Sequence, residues 1–253
     1  MGSNLVPTCP KIRTQFLQQY FNSEHIETVE RLVNYGISEI KPFRTERWYI
    51  GEDSEGTIRK YYMASYCGEA CFVKLAKYDS TIKNEIFVNN YIACCDLSFV
   101  PRTLTSDIDF GRDESMLVTQ YISGLSNFQI PEDTNLFDKY CDDFIHMHGA
   151  MQKFKIIHSD INDTNLLLNS CQQMILTDFG IGKAPGTEVF CIDYEAHDGT
   201  FYVDDGDLRT YDDAYSFVKM LDKSGIASSY KGRTSYKKVL QLVGLHQNIV
   251  RLH

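Results

Sequence analysis

The chain has no long run of apolar residues and a deficit of basic ones. No stretch approaches the roughly 20 apolar residues that a membrane-spanning helix needs, so we expect no membrane segment. The first residues lack the charged-then-apolar pattern of a secretion signal. Lys and Arg number 25 against 34 Asp and Glu, a net charge of −9. This balance argues against a nucleic-acid-binding surface.

Paired cysteine motifs are also missing, although the chain has eight cysteines. No C-x-x-C occurs, and the Cys67/Cys71 pair has no second Cys/His pair of matching spacing. We therefore expect free, buried thiols rather than disulfides or a zinc site. Free thiols indicate a reducing compartment, and we expect a cytoplasmic protein, with delivery into a host cell left open. At 253 residues the chain can form one large domain or two small lobes.

The most informative segment runs from Ile156 to Gly180. It contains Asp160, Asn165 five residues later, and Asp178 thirteen residues after that. Short apolar runs at 156–157, 166–168 and 174–176 bracket these polar residues and predict short strands. Phosphoryl transfer needs one carboxylate to orient the attacking hydroxyl, and an amide oxygen with a second carboxylate to hold Mg²⁺.

These motifs resemble the catalytic loop H-x-D-x-x-x-x-N and the metal loop D-F-G of the protein-kinase-like superfamily. The resemblance implies a single α+β kinase-like domain of two lobes over residues 1–253. A small antiparallel-sheet lobe (1–119) would be joined by a hinge (120–124) to a mostly helical, truncated lobe (125–253). It also implies ATP and Mg²⁺ as cofactors. Asp160 would be the catalytic carboxylate, and Asn165 and Asp178 would hold the metal.

In the N-terminal half, apolar spacing predicts a helix over 11–35, and short runs rich in apolar and Tyr residues predict strands near 48–50, 58–66 and 71–75. Gly68-Glu69 is typical of the turn between the last two strands. By the resemblance, Lys74 corresponds to the strand lysine that contacts the α- and β-phosphates. Glu85, on the following helix, would be its partner. The alternative is that Lys74 is a strand-edge cation and Glu85 is solvated.

The segment that would cover the nucleotide departs from the family pattern. Gly51 and Gly56 remain, at altered spacing, with three acids between them. Either this loop stands off the phosphates, or backbone N–H groups of Ser54 and Gly56 bind them. The apolar strand at 116–122 resembles the segment leading into the hinge, where Gln120 and Ile122 would meet the adenine edge. An ordinary buried strand is the alternative.

In the C-terminal half, apolar spacing predicts a helix over 133–153, capped by Asp133 or Thr134. An irregular stretch is expected from Gly180 to about Tyr211. Between Glu188 and Asp213 the chain has nine acids and one base, which favours a cationic substrate. By the resemblance, Asp213 begins a central helix and accepts backbone N–H bonds from the catalytic loop. Only forty residues follow it, which leaves room for a partner protein that completes the lobe.

Two positions differ from the pattern of many protein kinases. Ser159 stands where an Arg would bind an activation-loop phosphate, and Asn162 stands where a Lys would contact the transferred phosphate. His158 is expected to pack against Phe179. The first interpretation is a compact serine/threonine-type protein kinase that resembles small bacterial effector kinases. The alternatives are a phosphotransferase acting on a small hydroxyl compound, such as an aminoglycoside or a sugar, and a pseudokinase that only binds a partner.

Overall fold

The structure, a computed structural model, describes residues 23–43, 51–52, 58–187, 201–205 and 208–251. It divides into two compact units. The first comprises residues up to Asp79 together with Thr103–Tyr121, and the second comprises Ser80–Arg102 and residues from Ile122 onward. The first unit is mainly antiparallel sheet and the second mainly helical, which confirms the predicted α+β class.

In its described residues, the first unit contains one helix and a six-stranded antiparallel sheet. The strands follow the order β1-β3-β4-β6-β5, with β2 paired to β3. Helix α1 packs its apolar residues Val29 and Leu32 into the core of this unit. The elements are α1 (Ser23–Asn34), β1 (Ile37–Pro42), β2 (Gly51–Glu52), β3 (Ile58–Tyr66), β4 (Glu69–Lys77), β5 (Thr103–Gly111) and β6 (Glu114–Gln120).

The hairpin between β3 and β4 was predicted, with a displacement of one residue at its turn. Tyr66 pairs with Glu69, so the turn residues are Cys67 and Gly68. Their φ angles are 52° and 81°. Positive φ at both central residues is the mark of the two-residue turn that matches strand twist. Glu69 therefore begins the strand instead of closing the turn.

Strands β1 and β5 had no counterpart in the sequence prediction. Both are edge strands, and each pairs with a neighbouring strand along one edge within the described residues. Their sequences mix polar and apolar residues without strict alternation, and β5 is half-buried to exposed along its length. An edge strand of this kind gives a weak periodic signal.

The part of the second unit that the structure describes contains five helices and two small three-stranded sheets. Its core includes the stacked rings of Phe144 and Phe217, whose centroids lie 4.0 Å apart. The elements are α2 (Ser80–Ala93), β7 (Ser126–Asn127), α3 (Thr134–Lys153), β8 (Leu166–Leu168), β9 (Met174–Leu176), β10 (Phe201–Asp205), β11 (Leu208–Asp212), α4 (Asp213–Lys223), α5 (Ser228–Lys231), α6 (Thr234–Leu240) and β12 (Gln247–Arg251).

Helix α3 confirms the prediction over 133–153 and its N-terminal cap. The Asp133 carboxylate accepts a hydrogen bond from the backbone N–H of Asn135 at 2.8 Å. The short strands β8 and β9 also lie where the apolar runs indicated. In the described part of the chain, no helix has the length and apolar character that crossing a membrane requires.

Several expectations need correction. The stretch from Gly180 to Tyr211 is not wholly irregular, because β10 and β11 form a hairpin that β12 extends. Three of the six described cysteines are exposed rather than buried: Cys67, Cys94 and Cys171. Helix α2 contributes Val88 and Ile92 to the core of the second unit. The predicted lobe limits, residues 1–119 and 125–253, stay a prediction. Residues 11–22 of the first predicted helix and the strand at 48–50 lie outside the described residues.

Candidate active site

The first residue of α4, Asp213, holds the loop that carries Asp160 through hydrogen bonds to its backbone. The carboxylate of Asp213 accepts hydrogen bonds from the backbone N–H groups of His158 and Ser159, each at 2.9 Å. Burial raises the pKa of Asp213 to about 7, while these two donors act in the opposite direction. The bonds link residues 54 and 55 positions apart in the chain. The expected role of Asp213 is therefore observed.

His158 joins the loop to the strand that precedes Asp178. Its Nε2 lies 2.8 Å from the carbonyl oxygen of Thr177, and its Nδ1 lies 3.2 Å from the backbone nitrogen of Asp160. An N–H can only donate, so Nδ1 accepts and Nε2 carries the proton. Burial lowers the pKa of His158 to about 4, which keeps the ring neutral near pH 7. The ring packs edge-on against Phe179 with centroids 4.5 Å apart, as expected.

A second connection joins the two loops through Asn165. Its carbonyl oxygen accepts the backbone N–H of Thr177 at 2.9 Å and the Thr177 hydroxyl at 3.2 Å. Thr177 immediately precedes Asp178 in the chain. These contacts fix the backbone of the metal-loop motif against that of the catalytic-loop motif, so the two segments form one unit around Asp160 and Asp178.

Asp160 is held by side-chain amides on both carboxylate oxygens. Asn162 Nδ2 donates to Oδ1 at 3.1 Å, and Asn165 Nδ2 donates to Oδ2 at 2.9 Å. Asp160 is half-buried, so its carboxylate is oriented without being sealed from solvent. An oriented carboxylate open to solvent is what proton acceptance from a substrate hydroxyl requires.

Helix α2 restrains the metal-loop motif from another side. The Asn84 side-chain amide donates to the carbonyl oxygens of Gly180 at 2.9 Å and Gly182 at 2.8 Å. Asp178 has a φ of 65°, a left-handed conformation that Asp tolerates better than most residues. A Cβ added at Gly180 would lie 3.3 Å from Asp178 Oδ1 and 3.3 Å from Thr81 Cβ. The absence of a side chain at Gly180 therefore lets Asp178 and α2 approach this closely.

The donor chemistry of Asn165 and Asp178 fits Mg²⁺. Amide and carboxylate oxygens are its preferred protein ligands, and at phosphate-transfer sites the protein supplies only one or two of them. The amide nitrogen of Asn165 donates to Asp160, and its Oδ1, which lies 3.3 Å from the Thr164 hydroxyl, is the atom that could bind a cation. In the described residues, no group of three or more His, Cys, Asp and Glu side chains is arranged to hold a metal. Phosphate oxygens would have to complete the coordination.

Lys74 and Glu85 belong to different units, and both are buried. Lys74 lies on β4, opposite Tyr61 on one side and Leu117 on the other, and is 8% exposed. Glu85 lies on α2 and is 5% exposed. A solvated Glu85, the alternative to the predicted pairing, is therefore wrong. A buried ammonium and a buried carboxylate both need polar partners. Their pairing with each other stays a prediction.

The structure describes only two of the four residues predicted to contact the nucleotide with their backbone. Ser54 and Gly56 lie outside the described residues. Gln120 is the exposed last residue of β6, and Ile122 is half-buried in the segment that follows. Their role stays a prediction.

The contacts that three residues make in this site were not predicted from the sequence. Asn84 and Thr177 act through contacts with carbonyl oxygens of distant residues, and Asn162 acts through a dense local network. An Asn in the middle of a helix was one available signal, because Asn is a poor helix former unless its side chain has a task.

No protein-family model matches the chain. Two curated proteins of Dictyostelium discoideum are similar to it, and both are described as probable serine/threonine-protein kinases. One is 30% identical over 146 residues, which cover 52% of this chain and 34% of the relative. The other is 25% identical over 186 residues, which cover 65% of this chain and 10% of the relative. The chain thus spans about a third or less of the length of these relatives.

Among solved structures, the chain is similar to the kinase PK-1 of the Cydia pomonella granulovirus. The superposition has a TM-score of 0.46 at 16% identity and covers 65% of this chain and 61% of the viral kinase. The two curated relatives confirm the resemblance to the protein-kinase-like superfamily. The catalytic-loop and metal-loop motifs had indicated the same resemblance.

Proposed function

We propose that this chain, kinase-like by its motifs, its α+β fold and its curated relatives, is an ATP- and Mg²⁺-dependent phosphotransferase. More narrowly, we propose a compact serine/threonine-type protein kinase. The observation that carries the proposal is the single hydrogen-bonded unit formed by the two motif loops, in which Asn165 contacts both Asp160 and Thr177. If the motif residues were ordinary turn residues that cap local backbone groups, hydrogen bonds between the two loops would not be expected.

Each residue has a proposed task. Asp160 orients the hydroxyl of the acceptor and accepts its proton. Asn165 and Asp178 would supply oxygen ligands for Mg²⁺. The bound Mg²⁺ would neutralise part of the negative charge on the phosphates of ATP. Lys74 positions the phosphates, and Glu85 orients Lys74. The catalytic effect would come mainly from positioning and electrostatic stabilisation.

A small-molecule phosphotransferase is the second candidate. The acidic stretch between Glu188 and Asp213 favours it, because a polycationic acceptor would gain from such a charge. A pseudokinase would retain the fold and bind a partner without transfer. The altered glycine segment at 51–56 favours that alternative, and the intact Lys74, Asp160, Asn165 and Asp178 oppose it.

One experiment separates these functions. The purified chain is incubated with γ-labelled ATP and Mg²⁺, together with dephosphorylated casein, kanamycin, glucose or no acceptor. Label in casein supports a protein kinase, and label in kanamycin or glucose supports a small-molecule phosphotransferase. Nucleotide binding without transfer in any arm would identify a pseudokinase and overturn the proposal.

The same assay tests Asp160. Asp160→Asn should lower transfer by about 10²–10⁴-fold, the range for a positioned acid–base group, while nucleotide binding persists. Asp163→Asn is the matched control, since it removes the same charge from an exposed position in the same loop. Near-normal transfer by Asp160→Asn would show that Asp160 is not the catalytic carboxylate.

A further inference from the structure

Asn162 is the centre of the hydrogen-bond network in the loop that carries Asp160. Its Oδ1 accepts the backbone N–H of Thr164 at 2.8 Å, the Thr164 hydroxyl at 2.5 Å and the backbone N–H of Asn165 at 3.2 Å. Its Nδ2 donates to Asp160 Oδ1 at 3.1 Å and to the Asp160 carbonyl oxygen at 3.2 Å. One amide therefore both closes the turn and contacts the carboxylate.

The contacts of Asn162 and Asn165 are complementary. Asn165 Nδ2 donates to the other carboxylate oxygen of Asp160, Oδ2, at 2.9 Å and to the Asp160 carbonyl oxygen at 3.0 Å. Two donors on opposite oxygens restrict rotation of the Asp160 carboxylate more than one donor can. Asn165 is also the proposed metal ligand, so its amide has two tasks. Asn162 has no proposed contact with metal or nucleotide, and its side-chain hydrogen bonds among the described residues all go to Asp160, Thr164 and Asn165.

We propose that Asn162 is a positioning residue for Asp160: its amide oxygen folds the loop, and its amide nitrogen fixes the carboxylate toward the acceptor hydroxyl. This inference rests on the proposed phosphotransferase function. It assigns to Asn162 a task different from the phosphate contact of the lysine that many protein kinases have at this position. The loop therefore stabilises the base, and Asn162 brings no positive charge to the transferred phosphate.

The chemistry of the amide explains why a lysine cannot do this work. An ammonium group has three donors and no acceptor, so it cannot receive the two backbone N–H groups of Thr164 and Asn165. A carboxylate at position 162 could receive them but could not donate to Asp160. A serine hydroxyl could still accept in the turn, but it is too short to reach the carboxylate. These differences separate turn closure from the positioning of Asp160.

The test compares wild type with Asn162→Asp, Asn162→Ser and the control Asn169→Asp. Asn169 is a second turn-closing amide, whose Oδ1 accepts from Cys171 N at 2.9 Å and Gln173 N at 3.0 Å, and whose Nδ2 donates to Gln173 Oε1. In the acceptor arm that takes label, Asn162→Asp and Asn162→Ser should lower kcat about 10- to 100-fold, the effect of a misplaced reacting group. The KM for ATP should stay within about twofold, because neither variant alters groups proposed to bind it.

The split between kcat and KM separates positioning from general damage. Both Asn162 variants should lower kcat and keep the KM for ATP, because the Asp160 carboxylate loses one of its two amide donors while the groups proposed to bind the nucleotide are unchanged. Asn169→Asp should change neither kcat nor KM. If Asn162→Asp behaves as Asn169→Asp does, or if both Asn162 variants raise KM while kcat is kept, the inference is wrong.

A readout that needs no turnover keeps this inference distinct from the proposed function. Relaxation of the ¹³C-labelled Asp160 carboxyl group, recorded by NMR at one fixed pH, measures its mobility directly. The carboxyl group should be more mobile in Asn162→Ser than in wild type, and as mobile as in wild type in Asn169→Asp. Unchanged mobility in Asn162→Ser would overturn the inference even if transfer is observed. Absence of transfer by wild type, with increased mobility in Asn162→Ser, would overturn the phosphotransferase proposal alone.

Discussion

The side-chain amide of Asn84 lies 2.9 Å from the carbonyl oxygen of Gly180, to which it donates a hydrogen bond. The same nitrogen, Nδ2, donates to the carbonyl oxygen of Gly182 at 2.8 Å. Asn84 is 2% exposed, and it directly precedes Glu85 on α2. One buried side chain thus fixes the helix to the backbone of the metal-loop motif. The geometry of that motif depends on α2 as well as on its own turn.

Asn84→Ala should therefore lower both stability and Mg²⁺-dependent nucleotide binding. The variant leaves two buried carbonyl groups without their donor, which costs about 1–3 kcal/mol of unfolding free energy. Chemical denaturation measures the first effect, and thermal shift with ATP and Mg²⁺ measures the second. Asn90→Ala, on the exposed side of the same helix, is the control and should change neither. Unaltered nucleotide binding by Asn84→Ala would show that the contact stabilises the fold only.

The parts of the structure that the sequence predicted are those with a local, repeated signal. Helix α3 has apolar residues at helical spacing after an Asp cap, and β3 and β4 have short runs rich in apolar and Tyr residues on either side of a glycine turn. Such signals depend on neighbours in the chain. The edge strands β1 and β5 and the hairpin of β10 and β11 lack them, because acidic and polar residues interrupt their apolar pattern.

The candidate site divides in the same way. The motif spacing identified Asp160, Asn165 and Asp178, and the family resemblance gave the role of Asp213. The Asn84 contact was not predictable, since it joins residues 96 positions apart and a single Asn leaves no periodic trace. The hydrogen bonds of the Asn162 side chain were not predicted for another reason. Many protein kinases have a lysine at this position, and the hydrogen bonds that an amide makes there depend on the geometry of the turn.

Asp178→Asn should abolish the Mg²⁺-dependent part of nucleotide binding. A neutral amide is a much weaker Mg²⁺ ligand than a carboxylate, so the nucleotide loses the bridge that would neutralise its phosphates. Thermal shift with ATP, with and without Mg²⁺, measures the difference. Asp163→Asn serves as the charge control, because that residue is exposed and has no proposed metal contact. Equal stabilisation of wild type and Asp178→Asn by ATP and Mg²⁺ would contradict the metal assignment.

His148 should make the protein less stable as the pH falls. The side chain is 0% exposed, and neither ring nitrogen has a hydrogen-bond partner within the described residues. Burial, assisted by His246, lowers the pKa of His148 to about 4, while Asp212 opposes the shift. The unfolded chain, with a pKa near 6.5, thus binds more protons between about pH 6.5 and 4. The stability contribution of His148 is present above about pH 6.5 and is lost as the pH falls through about 4.

His148→Leu should therefore flatten the dependence of unfolding free energy on pH. The expected change in slope is about 1 kcal/mol per pH unit between pH 6 and 4.5. At pH 7 the variant should be as stable as wild type or more so, because it removes two unsatisfied buried nitrogens. Urea titrations across this pH range make the measurement. His146→Leu, exposed on the same helix, should leave the slope as it is. An equal slope for wild type and His148→Leu would refute the assignment.

Activity should not require a phosphate on the segment after the metal loop. Ser159 occupies the position of the arginine that would bind such a phosphate, is 1% exposed, and has a φ of 69°. Ser159→Arg would bury an unpaired charge and should destabilise the protein by several kcal/mol instead of creating a phosphate site. Ser159→Gly, compatible with a positive φ, is the control and should fold normally.

Phosphatase-treated wild type should therefore keep its transfer rate. The hydroxyl residues to test are Thr187, Tyr194, Thr200 and Tyr202. Thr187 already uses its hydroxyl locally, accepting from Ala184 N at 2.9 Å and donating to Ala184 O at 2.6 Å. Single Ala or Phe replacements at the four positions should act only through substrate contacts. An inert dephosphorylated protein that recovers on rephosphorylation would show that another cation, Lys183 or Arg209, binds the phosphate.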